Sequence, residues 1–242
     1  MALARIWAVV PAAGSGRRFG SETAKQYVEL AGEPIAQRTL STLLEAELFS
    51  KIIVPVALDD RFFSSLVVAQ RKELEVIEGG ETRAQSVLNG LSALAGHASS
   101  SDWVLVHDIA RPLLTIADIQ YLLASLAGHP VGGIFALPAT DTVKVAVNKN
   151  VIDKTVDRQT VWLAQTPQMF RYGLLHQALS LAVEQGLSVT DEASAMEFQQ
   201  HDVALVKGRV DNIKITHRAD IALAEFYLAA NEKSQVVIKG EG

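Results

Sequence analysis

Pro11-Ala12-Ala13-Gly14-Ser15-Gly16-Arg17-Arg18 follows a short apolar run and is itself followed by Lys25. Small residues leaving a strand let backbone N–H groups approach a phosphate chain, and neighbouring cations add charge-assisted hydrogen bonds. The chemistry open to such a loop is the gripping of a nucleotide's phosphates. It is not a Walker loop, because G-x-x-x-x-G-K-[ST] is absent, and it is not a dinucleotide fingerprint, because Phe19 stands where the third glycine belongs. Taken alone, the segment reads equally well as a tight turn with two surface arginines, and Lys25 as a solvated charge.

Val106-His107-Asp108-Ile109-Ala110-Arg111-Pro112 forms a second polar set. A carboxylate leaving the carboxyl end of a strand is placed to hold Mg²⁺, with Arg111 available for a second anion. The plainer reading makes Asp108 a helix N-cap paired with Arg111. His107 has no evident nucleophile to activate and reads as a buried, hydrogen-bonded residue. In Glu78-Gly79-Gly80-Glu81-Thr82-Arg83-Ala84-Gln85-Ser86, two glycines precede a helix whose start suits a base or a phosphate, or they form a simple turn. Thr190, before Asp191 and Glu192, reads as an N-cap first and a ligand second. Lys214 lies in the strand-like NIKIT of Arg209-Val210-Asp211-Asn212-Ile213-Lys214, where a cation needs a partner and a phosphate would serve.

These residues need strands and helices to position them. RIWAVV, KIIVPVAL, LEVI, DWVLVHD and GGIFALPA are apolar runs without strict alternation, which predicts buried strands of a largely parallel sheet. Between them, Ala84, Val87, Leu88, Leu91 and Leu94 share one face of a helix over Thr82 to Ala95. Thr115 and Asp118 form a capping box ahead of Leu122, Leu123 and Leu126. The result is an open α/β sandwich whose ligands sit beyond the carboxyl ends of the strands, which is where the glycine segment falls. From Asp141 to Arg158 the pattern becomes an alternating hairpin around Asn148-Lys149-Asn150, read as an arm packing on a second subunit or as a solvent hairpin. A last helix covers about His217 to Ala230, with a frayed tail beyond.

The chain of 242 residues suits one α/β domain spanning 1–242, with the arm at 141–158. With 22 Lys+Arg against 27 Asp+Glu its formal net charge is -5, so no nucleic-acid partner is expected and any anion site must be local. There is no cysteine, which removes disulfides, thiolate metal sites and a cysteine nucleophile and suits a reducing cytoplasm. The opening MALARIWAVVPAAG is too short an apolar run to span a membrane, lacks a convincing cleavage pattern, and reads as a first buried strand.

Seven stretches occur in one order: PAAGSGRRFG with AKQY, GGETRAQSV, VLVHDIARP, the TDTVK to VDR arm, LAQTPQMF, TDEASAME and GRVDNIKIT. Together they resemble the 2-C-methyl-D-erythritol 4-phosphate cytidylyltransferase family over nearly the whole chain. The resemblance implies a Rossmann-like nucleotide-diphospho-sugar transferase fold, a three-layer sandwich with a mostly parallel mixed sheet and a protruding β-arm. It implies transfer of the CMP moiety of CTP to 2-C-methyl-D-erythritol 4-phosphate with Mg²⁺, releasing pyrophosphate, in a homodimer built through the arms. It assigns the CTP phosphates to Gly14, Ser15, Gly16, Arg18 and Lys25, and cytosine to Ala12, Ala13, Gly80, Glu81 and Ser86. Asp108, Arg111, Thr190 and Lys214 take the sugar phosphate and the metal-bound pyrophosphate region, with Asp108 on the metal and Asp211 as a second carboxylate to consider. Thr142 and Arg158 come from the partner's arm, and Arg18, Lys25, Arg158 and Lys214 make the catalytic contacts. Ile109 departs from the Ala common in the family and Glu81 from a common Asp. Two other readings stand beside it: a cytidylyltransferase for ribitol 5-phosphate, and a nucleotide-binding protein without turnover.

Overall fold

Every buried strand of the sheet turns alternate side chains toward two helical layers. The computed structural model describes residues 4–14, 19, 24–147 and 150–240, with 232–240 as helical backbone only. Strand β1 (Ile6–Val9) leads through the hairpin β2 (Glu29–Leu30) and β3 (Glu33–Pro34) into α1 (Ile35–Glu45). Then come β4 (Ile52–Val56), β5 (Leu74–Glu78), α2 (Arg83–Ala93), β6 (Trp103–Val106), α3 (Ile116–Leu126) and β7 (Gly132–Pro138). The arm is β8 (Val143–Val147) and β9 (Val151–Val156), followed by β10 (Trp162–Arg171), α4 (Tyr172–Glu184), α5 (Glu192–Phe198), β11 (Ala204–Lys207) and α6 (Ala219–Gly240).

Seven strands form one sheet in the order β11-β7-β10-β6-β1-β4-β5. All neighbours run parallel except β10, which is antiparallel to β6 and β7. Ala8, Val10, Ile52 and Leu105 face the layer of α1 and α3, whereas Trp7, Val9, Ile53 and Val104 face α2, α4 and α5. That period of two makes the three layers. Because the chain moves from β1 through β4 to β5 and then crosses back to place β6 on the other side of β1, the strand order reverses at β1. A crevice at the carboxyl ends of such strands is where open α/β sheets bind ligands.

The strands expected at the five apolar runs are all present, and Thr115 caps α3 with the expected box to Asp118, while Thr82 proves to be the N-cap of α2. The arm is a separate two-stranded sheet with most of its residues exposed, Val151 and Ile152 among them; the tip residues 148 and 149 lie outside the described residues.

Three expectations need correction. NIKIT is an extended loop, not a strand: its apolar spacing arises because Ile213 and Ile215 join a small cluster with Phe19, Leu30, Leu113 and Ala224 of α6. The helix expected to stop near Ala230 continues through Gly240, since NEKSQVVIK contains no breaker. Asp191, not Thr190, caps α5, through a reciprocal box with Ser194; its carboxylate accepts the Ser194 N–H at 3.0 Å.

Candidate active site

The carboxyl ends of β1, β5 and β6 open onto a cavity of about 590 Å³. After β1, the Ala12 N–H donates to the Pro55 carbonyl at 2.8 Å, extending the ladder, and its methyl enters the core. Ala13 and Gly14 then face the cavity. Gln26, itself buried, donates from Nε2 to the Ala12 carbonyl at 2.9 Å and so ties the strand end to the turn that carries Lys25. Lys25 Nζ donates to the Ile215 carbonyl at 2.9 Å.

At the end of β5, Gly79 is required by a close approach: a Cβ there would lie 2.5 Å from the Ala13 Cβ. The next residue is held by Ser86, whose Oγ accepts the Gly80 N–H at 3.0 Å and donates to the Thr82 carbonyl at 3.0 Å. Gly80 and the exposed Glu81 complete this wall.

Asp108, at the end of β6, is the electrostatic centre. Its Oδ1 accepts from Arg83 Nε at 3.0 Å and its Oδ2 from Lys214 Nζ at 2.7 Å, while Arg111 Nε stands 3.8 Å from Oδ2. Burial pushes this carboxyl up, but Arg83 and then Lys214 outweigh it and hold it well below the usual carboxylate range. The N-cap reading of Asp108 is thereby replaced: it sits in a turn and its chief partners are Lys214 and Arg83. Arg83 has its two remaining nitrogens on the fully buried Glu192, at 2.7 and 3.0 Å. The guanidinium is raised above its ordinary value because, although burial lowers it, Glu192 and Asp108 prevail.

His107 is fully buried. Its Nε2–H donates to the Arg111 carbonyl at 3.0 Å and its Nδ1 meets the Thr166 hydroxyl at 3.1 Å, while that hydroxyl accepts the Asp108 N–H at 3.0 Å. Burial pushes the imidazole down to about 4, so it is neutral near pH 7 and holds the backbone on both sides of Asp108.

Of the residues expected from sequence, the cavity brings together Ala13, Gly14, Lys25, Gly80, Glu81, Ser86, Asp108 and Lys214. Ser15, Gly16, Arg17 and Arg18 lie outside the described residues. Ala12 is buried, its methyl in the core and turned away from its neighbour's. Arg111 stands behind Asp108 and donates from Nη1 to the Asn212 carbonyl at 2.7 Å. Thr190 is exposed just ahead of α5. Thr142 and Arg158 are exposed at the base of the arm, where Arg158 donates to the Thr140 carbonyl at 2.7 Å. Asp211 turns from the cavity to Arg209 and Asn231. Ile109 does line the cavity, with most of its surface in the core. Sequence reasoning missed Arg83, Glu192, Gln26 and Thr166. For the first pair the sequence offered only a charge at the first turn of each of two helices, α2 and α5, with nothing to join them.

A model of the 2-C-methyl-D-erythritol 4-phosphate cytidylyltransferase family matches residues 6–230. Relatives bearing that name include one from Pseudomonas aeruginosa, 47% identical over 220 residues that cover 90% of this chain and 94% of the relative. Another, from Haemophilus influenzae, is 47% identical over 227 residues, 94% of this chain and 98% of the relative. The crystal structure of the Francisella tularensis 2-C-methyl-D-erythritol 4-phosphate cytidylyltransferase superposes with a TM-score of 0.80 at 37% identity, covering 92% of this chain and 99% of that one. Among the described residues, no helix is long and apolar enough to cross a membrane.

Proposed function

Because the chain belongs to the 2-C-methyl-D-erythritol 4-phosphate cytidylyltransferase family, we propose that it transfers the CMP moiety of CTP to 2-C-methyl-D-erythritol 4-phosphate, giving 4-diphosphocytidyl-2-C-methyl-D-erythritol and pyrophosphate. The observation that carries this reading is the meeting of the glycine-lined end of β1, Lys25, Asp108 and Lys214 around one cavity at the sheet's switch point.

The chemistry follows from charge. The second pKa of a phosphate monoester is about 6, so the acceptor oxygen is anionic at neutral pH and no general base is needed. Repulsion between that dianion and the triphosphate is the obstacle. Lys25 meets the CTP phosphates, together with Gly14 and with Ser15, Gly16 and Arg18 of the glycine segment, and offsets the charge that builds on the α-phosphoryl group and pyrophosphate. Lys214 draws the acceptor phosphate to the Asp108 side, Arg111 adds its charge from behind Asp108, and Thr190, exposed ahead of α5, is the further candidate for that phosphate. Cytosine lies between Ala13 and the Gly80 to Ser86 turn. The tight Gly79 contact shapes that slot, and Ser86 acts by fixing the Gly80 N–H rather than through a free hydroxyl.

Mg²⁺ fits this donor set. It binds through one or two carboxylates plus substrate phosphates, and Asp108 supplies a carboxylate kept ionised at the cavity wall. When bound, the ion draws charge from the phosphate oxygens.

The arm supports a homodimer: Val145, Val147, Val151 and Ile152 leave apolar surface on a two-stranded ribbon, which is marginal in isolation. A second copy covering it would receive Thr142 and Arg158 at its own acceptor site. The net charge of -5 argues against a nucleic-acid partner, and the lack of cysteine suits the cytoplasm, where we place the enzyme.

The test is pyrophosphate release from CTP and Mg²⁺ with either polyol phosphate, with and without chelator. Release with 2-C-methyl-D-erythritol 4-phosphate, abolished by chelation, is expected. Release only with ribitol 5-phosphate, or CTP binding without release, would overturn the reading.

A further inference from the structure

Arg83 places all three guanidinium nitrogens on carboxylates. Nη1 and Nη2 grip the two oxygens of Glu192, and Nε meets Asp108 Oδ1 at 3.0 Å. Glu192 is fully buried at the first position of α5, where a carboxylate without a partner would be strongly destabilising. The fork–fork pair is therefore rigid, because a planar guanidinium bonded along one edge has no freedom left at its Nε. Arg83 lines the cavity, but its charge is shared between two carboxylates and is poorly placed to receive a phosphate directly. Lys214 meets the other oxygen of Asp108, and it arrives from a loop with no ladder to hold it.

We propose that Arg83, locked by Glu192, is a positioning residue that fixes the Asp108 carboxylate by Oδ1, so that Oδ2 holds the Lys214 ammonium where it meets the acceptor phosphate. The proposal rests on the cytidylyl-transfer reading and deepens it. Lysine at position 83 could not reproduce the arrangement, since one ammonium cannot hold two carboxylates in a planar fork. A purely structural role, tying α2 to α5, would act on stability and leave Asp108 and Lys214 where they are.

The test combines a double-mutant cycle with a crystal structure of Arg83→Gln in the full chain. Arg83→Gln is expected to lower kcat on the order of ten- to a hundredfold with the KM for CTP held within about threefold, and to add no further loss in an Asp108→Asn background. The structure should show the Asp108 carboxylate rotated away from Lys214. If Arg83→Gln does not fold, Glu192→Gln takes its place, with a smaller loss in the same direction and the same absence of further loss beside Asp108→Asn. Losses that multiply in the double variant, an unchanged kcat, or an Asp108 Oδ2 still bonded to Lys214 would each overturn the proposal. The functional reading fails elsewhere, in a wild-type chain that releases no pyrophosphate.

Discussion

Lys25 and Ile215, 190 positions apart, are joined by a 2.9 Å hydrogen bond from Nζ to the carbonyl. The bond ties the cation that follows the glycine segment to the loop that carries Lys214. The Ile215 N–H donates to the Ala110 carbonyl at 2.8 Å, so one buried residue links the loops after β1 and β6. One loop thus carries Lys214 and anchors Lys25, both of which line the cavity.

Lys25→Ala removes a cation placed for transition-state charge and is expected to lower turnover by about 10²–10³. Steady-state pyrophosphate release checks this. Lys25→Arg should recover part of the loss, because charge is restored while the reach to Ile215 changes. Wild-type turnover in Lys25→Ala would remove Lys25 from the site.

Gly79→Ala tests the packing at the base slot. Its new methyl would meet the Ala13 Cβ at 2.5 Å, with the Val56 carbonyl and Ser86 Oγ each at 3.1 Å. Overpacking of this kind costs about 1–3 kcal/mol. Since Ala13 is a wall of the cavity, the KM for CTP should rise by roughly tenfold with a smaller change for the acceptor. An unchanged KM for CTP would mean that cytosine does not use this wall.

Five strands of the sheet and its largely parallel character were legible in the sequence because fully buried strands such as WVLV and IIVPV are apolar throughout. Strand β10 was not: its Gln165, Thr166 and Gln168 are polar yet buried, and its register shifts between Ala164 and Gln168. Those side chains hold loops instead of filling core, as when Gln165 Nε2 donates to the Arg209 carbonyl at 3.0 Å. Lys214 was legible as a cation needing a partner but not as a loop residue, because burial of Ile213 and Ile215 imitates a strand's alternation. Arg83 and Glu192 were hidden because neither spacing nor composition reveals a pair 109 positions apart.

Asp102 predicts the pH dependence of stability at the end of the sheet opposite the cavity. Its carboxylate accepts from the Ser99 N–H at 2.9 Å, Trp7 Nε1 at 3.0 Å and the Arg5 N–H at 3.0 Å. Burial pushes its carboxyl up, but the Ser99, Trp7 and Arg5 donors outweigh it and lower it below the ordinary value. A depressed carboxyl stabilises the fold at pH values above the unfolded pKa of about 3.9, and that contribution is lost as pH falls through the folded value. Asp102→Asn should therefore cost about 1–3 kcal/mol near pH 7, by leaving donors unsatisfied, and progressively less below about pH 4. Denaturant unfolding of both proteins across pH measures the gap. A gap that widened in acid would contradict the sign.

The arm yields a test that separates a partner's contribution from a chain's own. Asp108→Asn breaks the site of the chain that carries it, whereas Arg158→Ala, if the arms cross, breaks the site of the other chain. In a mixed dimer both lesions then fall on one site and the second is intact. Were Arg158 to serve its own chain, each site of the mixed dimer would carry one lesion. Random re-pairing of equal amounts makes half of the dimers mixed, each with one working site of two, so the mixture should regain about a quarter of wild-type activity. Neither variant regains activity alone. Ile152→Lys, on the exposed apolar face of the arm, should abolish both the recovery and the dimer seen by sedimentation, because a charge there must be desolvated to pack. A mixture no more active than its two components, from chains shown to exchange, would return Arg158 to its own chain's surface.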